Sequence, residues 1–504
     1  MKKLLGIVVL VLLVCSGSFA EKYPKLKSPI VSISGSTPKK LKVPGKINLA
    51  NYKVNNPRSK IYVDIPKRRK ELKGFDNNKL NKLCIFKGQF GEILNAYKNQ
   101  GKNKLIASMP EIGGHQWKQK GTPIDAKNFA EPMINFTNKL SSHWMVTGDK
   151  IYLEILKEQI LLWAKEDAFQ TLIPDGMAWG YYFGYIDTLE YVRQTLARML
   201  FAFDILRQEN ALTPSEDKII YDWFEKIVAK TSIGPSDGGS GKLPPGNHTQ
   251  ASNARIYTMW GVLSGDNEYF QAGLKFYLIA LKKTRKDGSS SWEIRKEEKN
   301  SKRTYRGLEK MTQVVGGMVM IAEIFANQGY NLYSYETKKG ITVHKMIDFL
   351  FTYLGYPDSG APKKSYIDPE KQDRKLVFNK TWGDNSLGWA HAYIKRFPNT
   401  EATKTIIKYY MEPYGWWKKI AQSHGYGINC ACAYADLSKI GFSKGKYRAI
   451  VKNKIDSSIL IKAEGPTKET AEKEAMKICI NKSIQSSFKD ACYVHYSGNL
   501  GRGY

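Results

Sequence analysis

Carboxylates are in short supply in this chain: 47 Asp and Glu stand against 78 Lys and Arg, leaving a formal charge of +31. A surface so short of acidic groups repels polycations and concentrates polyanions near it. Much of the excess is Lys, so compositional bias stands beside polyanion binding as an explanation. Long apolar runs are missing too. Beyond the N-terminal run from Leu4 to Cys15, no stretch reaches the roughly 18 uninterrupted apolar residues that a spanning helix needs. An integral membrane segment is therefore not expected once that run is removed. Cysteine is sparse, with six in 504 residues. Cys430-Ala-Cys432 is too tight for easy internal bridging, and no His cluster beside it completes a zinc site. Zinc-finger spacing, a Gly-rich phosphate loop and an RNP-like aromatic motif are all lacking, so nucleic acid is not an expected partner. No metal and no cofactor are expected.

What is present begins with Met1-Lys2-Lys3, the apolar run and then Ser-Gly-Ser-Phe-Ala. Charged, apolar and small residues in that order form a secretory signal, with Ser18 and Ala20 flanking a cut after Ala20. Residues 1–20 are thus expected to leave as a signal peptide, and the mature protein to be periplasmic or secreted. Its charge is then about +29, because Lys2 and Lys3 leave with the signal. Cys15 leaves as well, so Cys84, Cys430, Cys432, Cys479 and Cys492 remain, an odd set for an oxidising compartment. Residues 21–74 are rich in Lys, Pro, Ser and Asn (PKLKSP, GSTPKKLKVPGK, NNPRSK) and read as an extended basic lead-in.

From 75 to 440 the apolar spacing is helical again and again. Ile151, Ile155, Leu156 and Leu162-Trp163 form one stripe. Val192, Leu196, Met199, Leu200, Phe203 and Leu206 form a second, and Phe270, Leu274, Tyr277, Leu278 and Leu281 a third. Leu308, Met311, Val315, Met318, Ala322 and Phe325 form a fourth. Successive helices joined by alternating short and long loops suggest a mainly α fold. The architecture expected is an (α/α) toroid, or incomplete barrel of helical hairpins, with a groove at one end; periodicity alone does not establish closure. After residue 441 the pattern changes to short β-like runs around one helix, KETAEKEAMKICI. Residues 441–504 are expected to be a small α+β accessory domain, in which Cys479 and Cys492 could pair and staple a small core.

Two constellations could carry chemistry. Asn247-His248 ends the loop PSDGGSGKLPPGNH (235–248) and precedes the helix TQASNARIYTMWGVL. Free backbone N–H groups and the helix dipole favour an anion at such a start. Simple helix capping by Asn is the bland alternative, and Asn247-His248-Thr249 is also a glycosylation sequon by pattern. The second is DGSSSWEIRKEEKNSKRTYRGLEKM (287–311), where Tyr305 opens an apolar helix among Arg295, Lys302, Arg303 and Arg306. Lowering a phenol from about 10 to about 8 takes roughly 2.7 kcal/mol, within reach of two or three nearby cations. The bland alternative is a hydroxyl satisfied at a helix end beside solvated charges.

In this order, Asn247-His248, Asp287-Gly288, Glu293, Arg295 and Tyr305 resemble the helical alginate lyase family of polysaccharide lyases, poly(β-D-mannuronate) lyase-like. The similarity continues through MIAEIFANQGYNLYSYE (320–336) and covers roughly residues 140–400. Arg295 lies ten residues before Tyr305, a wider gap than the family's, as if the loop carried a short insertion; Lys296 and Arg303 are the alternatives. The resemblance implies a toroid enzyme that cleaves a uronate-rich polyanion such as alginate, mannuronate-rich by preference, through β-elimination. Asn247, His248 and Arg295 would neutralise the C5 carboxylate, and Tyr305 would act as base and then acid. For an anti elimination His248 would be the base and Tyr305 the acid. Trp179, Tyr182, Arg303, Arg306 and Trp382 are the candidate substrate-binding residues, with Tyr181 and Trp389 as further stacking candidates. His143 and His391 read as packed histidines. A monomer is expected.

Two other classes stay open on the sequence. A toroid glycoside hydrolase would need paired carboxylates, for which Asp287, Glu293 and Asp384 are available but nothing pairs them. A non-catalytic polyanion-binding protein of the envelope would use the Lys-rich surface alone.

Overall fold

The computed structural model describes residues 47–58, 60–75, 137–165, 183–232, 246–295, 306–356, 359–372, 387–407, 428–435, 447–453, 460–465, 468–484 and 491–499, with Leu80, Cys84 and Asp167 as single positions. The signal segment 1–20, the lead-in up to residue 46, and Trp179, Tyr181, Tyr182, Arg303, Tyr305, Trp382 and Asp384 lie outside the described residues.

The apolar stripes become the buried faces of helices. These are α1 (Ile65–Lys73), α2 (Lys150–Lys165), α3 (Phe183–Gln208), α4 (Pro214–Ser232), α5 (His248–Ser264), α6 (Asn267–Lys282), α7 (Gly307–Asn327) and α8 (Val343–Leu354). The shorter α9 (Trp389–Arg396), α10 (Glu401–Ile406) and α11 (Cys430–Tyr434) come after them. Phe270, Leu274, Tyr277, Leu278 and Leu281 are buried on α6, and the stripe from Leu308 to Phe325 is buried on α7. Helix α5 is buried over almost its whole length and packs against α3, α4, α6 and α7. Close approach to α7 depends on a small residue: a methyl group at Gly317 would sit 2.8 Å from the Ala251 Cβ, a distance that packed atoms do not tolerate. Trp389 is fully buried, with its ring 5.8 Å from that of Phe351. It is a core residue and not a sugar-stacking one. His143 and His391 are packed in the interior.

The basic lead-in departs from the extended reading. Residues 65–73 form a helix, because Asp64 caps it by accepting from the Lys67 N–H at 3.0 Å and Pro66 sits in its first turn. Ile65, Arg68 and Leu72 share its buried face. Upstream, the chain is strapped across helix ends. The Gln328 side chain accepts from the Asn55 and Asn56 N–H groups at 2.9 and 2.8 Å, and Asn267 Oδ1 accepts from the Val54 N–H at 2.8 Å. Arg68 donates to the carbonyls of Cys432 and Ala435, both at 2.8 Å, and Cys84 is disulfide-bonded to Cys432. Early and late parts of the chain are thereby held together. Cys430, two residues from that bridge, is a buried thiol.

A separate core lies near the C-terminus. Strands β1 (Tyr447–Asn453), β2 (Leu460–Gly465) and β3 (Cys492–Asn499) form an antiparallel sheet in the order β2-β1-β3. Helix α12 (Lys468–Ile484) covers one face through Ala471, Ala475 and Cys479, against Ala449, Val451, Ile461 and Ala463. Cys479 and Cys492 form a disulfide.

Candidate active site

The start of α5 is built by its own side chains. Gly246 has φ +89°, a conformation that L side chains resist, and this turns the chain into the helix. Asn247 Oδ1 accepts from the Gln250 N–H at 2.9 Å, while Gln250 Oε1 accepts from the Gly246 N–H at 2.7 Å. That reciprocal pair satisfies two donors at the helix end. The capping role of Asn247 is therefore present, and it engages the amide oxygen, leaving the Nδ2 end to point elsewhere. Asn247 is buried, and His248 has 26% of its side chain exposed.

The loop after α6 reaches His248 by a folded route. Arg285 and Ser289, Thr284 and Ser290, and Lys283 and Ser291 pair across it. Asp287 anchors the turn. It accepts from Ser289 N and Oγ at 3.1 and 2.8 Å, from Lys364 Nζ at 2.5 Å, and from the Tyr366 hydroxyl. Burial opposes its charge, but Lys364, Tyr366 and Ser289 outweigh that and hold the carboxyl down to about 2. Gly288, at φ +95°, lies so close to the Lys345 carbonyl that a Cβ would be 2.2 Å from its oxygen. Asp287-Gly288 is thus a structural corner, and it aims the next turn of the loop at the start of α5.

That turn carries Glu293. Its Oε1 accepts from the His248 backbone N–H at 2.9 Å and lies 3.1 Å from His248 Nδ1. Only 8% of the Glu293 side chain is exposed. Burial works against its ionised form, but the charge and hydrogen bonds of His248, together with Lys310, outweigh it, and the carboxyl lies below its ordinary value. The sequence places Glu293 in the ordered series without giving it a partner. The pair is separated by 45 residues, and only the three-dimensional path of the loop joins them.

Arg295 is exposed; its Nε donates to the Trp292 carbonyl at 2.6 Å, and its guanidinium lies 5.4 Å from the Trp292 ring. Arg306 precedes α7 and is held by Glu309, with Nε and Nη2 donating at 2.6 and 2.7 Å. Its guanidinium, a candidate substrate-binding group on the sequence, is thus engaged within its own turn. Helix α7 starts against the Glu293 loop: a Cβ on Gly307 would be 3.1 Å from the Glu293 carbonyl oxygen and 3.0 Å from Ile294 Cδ1. The chain position two residues after Tyr305 therefore packs on the loop that holds His248. No group of three or more His, Cys, Asp or Glu arranged to hold a metal occurs among the described residues, and no described helix is long and apolar enough to cross a membrane.

Residues 94–359 match the sequence model of the alginate lyase family, described as "Alginate lyase". Among solved structures, alginate lyase A1-III from Sphingomonas species A1 is similar with a TM-score of 0.54 at 18% identity, over 78% of this chain and 100% of that one. A histidine-to-alanine variant of A1-III complexed with a tetrasaccharide gives 0.55 at 19% identity, over 78% and 99%. A tyrosine-to-phenylalanine variant, also complexed with a tetrasaccharide, gives 0.53 at 18%, with the same coverage. No curated protein matches. At these identities the likeness shows the fold, an (α/α) toroid; the small C-terminal sheet is seen in this chain's own structure.

Proposed function

This chain belongs to the alginate lyase family and is a polysaccharide lyase, and on that premise we propose that it cuts a uronate polyanion, mannuronate-rich alginate, by β-elimination. The observation that carries the reading is the paired start of α5: a buried Asn and a half-buried His at a helix N-terminus, the His held by a buried carboxylate. Such a start offers donors and a favourable dipole to an anion. Asn247 Nδ2, His248 and Arg295 neutralise the C5 carboxylate and stabilise the enolate-like charge that develops when C5 loses its proton. Tyr305, as phenolate, takes that proton. The C5–H electrons form the C4–C5 double bond, the C4–O bond breaks, and the same Tyr305 proton passes to the departing oxygen. One group on one face of the sugar does both tasks, which suits the syn elimination expected for mannuronate. The basic surface, +31 over the full sequence, gathers the polymer. The signal-like N-terminus supports export to the periplasm or beyond.

A glycosidase acid must keep a proton near neutrality, and Asp287 and Glu293, with carboxyls held below their ordinary values, do not suit that role; Asp384 lies outside the described residues. A panel of polymannuronate, polyguluronate, glucuronan and mixed alginate, assayed for the near-ultraviolet absorbance of an unsaturated uronate, tests the reading. Polymannuronate is expected to react fastest. Preference for polyguluronate would overturn the epimer assignment, and reducing ends without absorbance would overturn elimination.

A further inference from the structure

We propose that Glu293 decides which nitrogen of His248 meets the uronate, and so acts as a positioning residue; the inference rests on the role of His248 in the proposed elimination. An ionised carboxylate only accepts hydrogen bonds. Glu293 lies 3.1 Å from His248 Nδ1 and its carboxyl is below its ordinary value, so Nδ1 must carry the proton. Nε2 is then the nitrogen left for the uronate. The second contact, from the His248 backbone N–H at 2.9 Å, fixes the carboxylate against the helix start, so that ring and backbone are aligned by one oxygen.

The consequence for the reaction is a choice between two states of one atom. With His248 protonated, Nε2–H donates to the C5 carboxylate. With His248 neutral, Nε2 carries a lone pair and can accept the C5 proton. In either state the hydrogen bond from Nδ1 to Glu293 holds the ring, so that Nε2 is the atom presented. Among the described residues, Lys310 on α7 acts on Glu293 and Arg306 pairs with Glu309.

Glu293→Gln separates positioning from mere anchoring, because the amide oxygen still accepts the backbone N–H while the charge is gone. The expected result is a drop in kcat of about 10- to 100-fold, with KM changed by less than about threefold, as for loss of a group that orients a catalytic His. In 15N spectra, the His248 ring shows the Nδ1–H tautomer in the wild type and a mixture in the variant. Glu293→Asp, which keeps the charge, recovers part of kcat. Wild-type kcat in Glu293→Gln, or an Nδ1–H tautomer unchanged in it, would overturn the inference, as would parallel loss of activity and thermal stability in both variants. If the wild type cuts no uronate polymer, the reading of function fails instead, and the 15N spectra still decide whether Glu293 sets the tautomer.

Discussion

At Asn247 a single amide has two ends with separate duties, and a substitution can part them. Its oxygen caps α5 through the Gln250 N–H, and an Asp in its place caps at least as well. Asn247→Asp, however, replaces the donor end with a negative charge beside the expected carboxylate. The variant should melt within a few degrees of the wild type yet lose lyase activity by about 100-fold or more, a loss typical of removing a donor at a charge-developing oxygen. Activity retained at near wild-type level would confine Asn247 to the cap. Asn247 and His248 stood out in the sequence as a polar pair between a Gly/Pro loop and an apolar helix, with capping as the bland alternative, and the cap is present in the structure. The role of Glu293 was not legible, since its partner lies 45 residues away and a Glu in a charged loop has no periodic signature. The local partner of Arg306 was readable, since a basic residue at a helix start commonly finds an acidic one three positions on, here Glu309.

Between α6 and α7 the loop works as an element in its own right, and Asp287 is its anchor. The folded protein holds that carboxyl down to about 2, below its unfolded value near 4. A depressed carboxyl contributes stability that is present above the unfolded value and is lost as pH falls through the folded one. The contribution should therefore disappear between about pH 4 and pH 2. Two units correspond to roughly 2–3 kcal/mol at most, and the side chain is 23% exposed, so about 1–2 kcal/mol is expected. Denaturation of Asp287→Asn against wild type at several pH values checks this: the gap should be largest near neutrality and close towards pH 2. A gap independent of pH would assign the stabilisation to shape instead of charge. Helices were legible from their stripes, as α6 and α7 show, because a single repeated period carries the signal. Helix α1 was not, because its polar IPKRRKELK segment buries only Ile65, Arg68 and Leu72, too little apolar content to stand out from a basic linker.

Across the whole molecule, the early chain is fastened to the late chain by the Arg68 contacts and by the Cys84–Cys432 disulfide, which spans 348 residues. Such a link restrains the unfolded ensemble over a very long loop, and removing one costs about 2–5 kcal/mol. Cys84→Ser should lower the thermal midpoint while leaving kcat of the folded enzyme intact; an unchanged midpoint would show that the strap of residues 47–75 suffices without the bridge. No periodicity could have announced this fastening, because it depends on residues that meet only when the helices are assembled. The toroid itself was suggested by the succession of helices and by family resemblance, and its closing contacts became visible only in three dimensions. Whether this basic helical protein eliminates across a uronate C4–O bond with Tyr305 as base and acid is decided most directly by one measurement. It is the initial rate of unsaturated-uronate absorbance on polymannuronate for wild type and for Tyr305→Phe. A steady rise is expected for the wild type and a rate lower by about 1000-fold for the variant, in the range general acid–base catalysis supplies. A variant that eliminates as fast as the wild type would contradict that role of Tyr305.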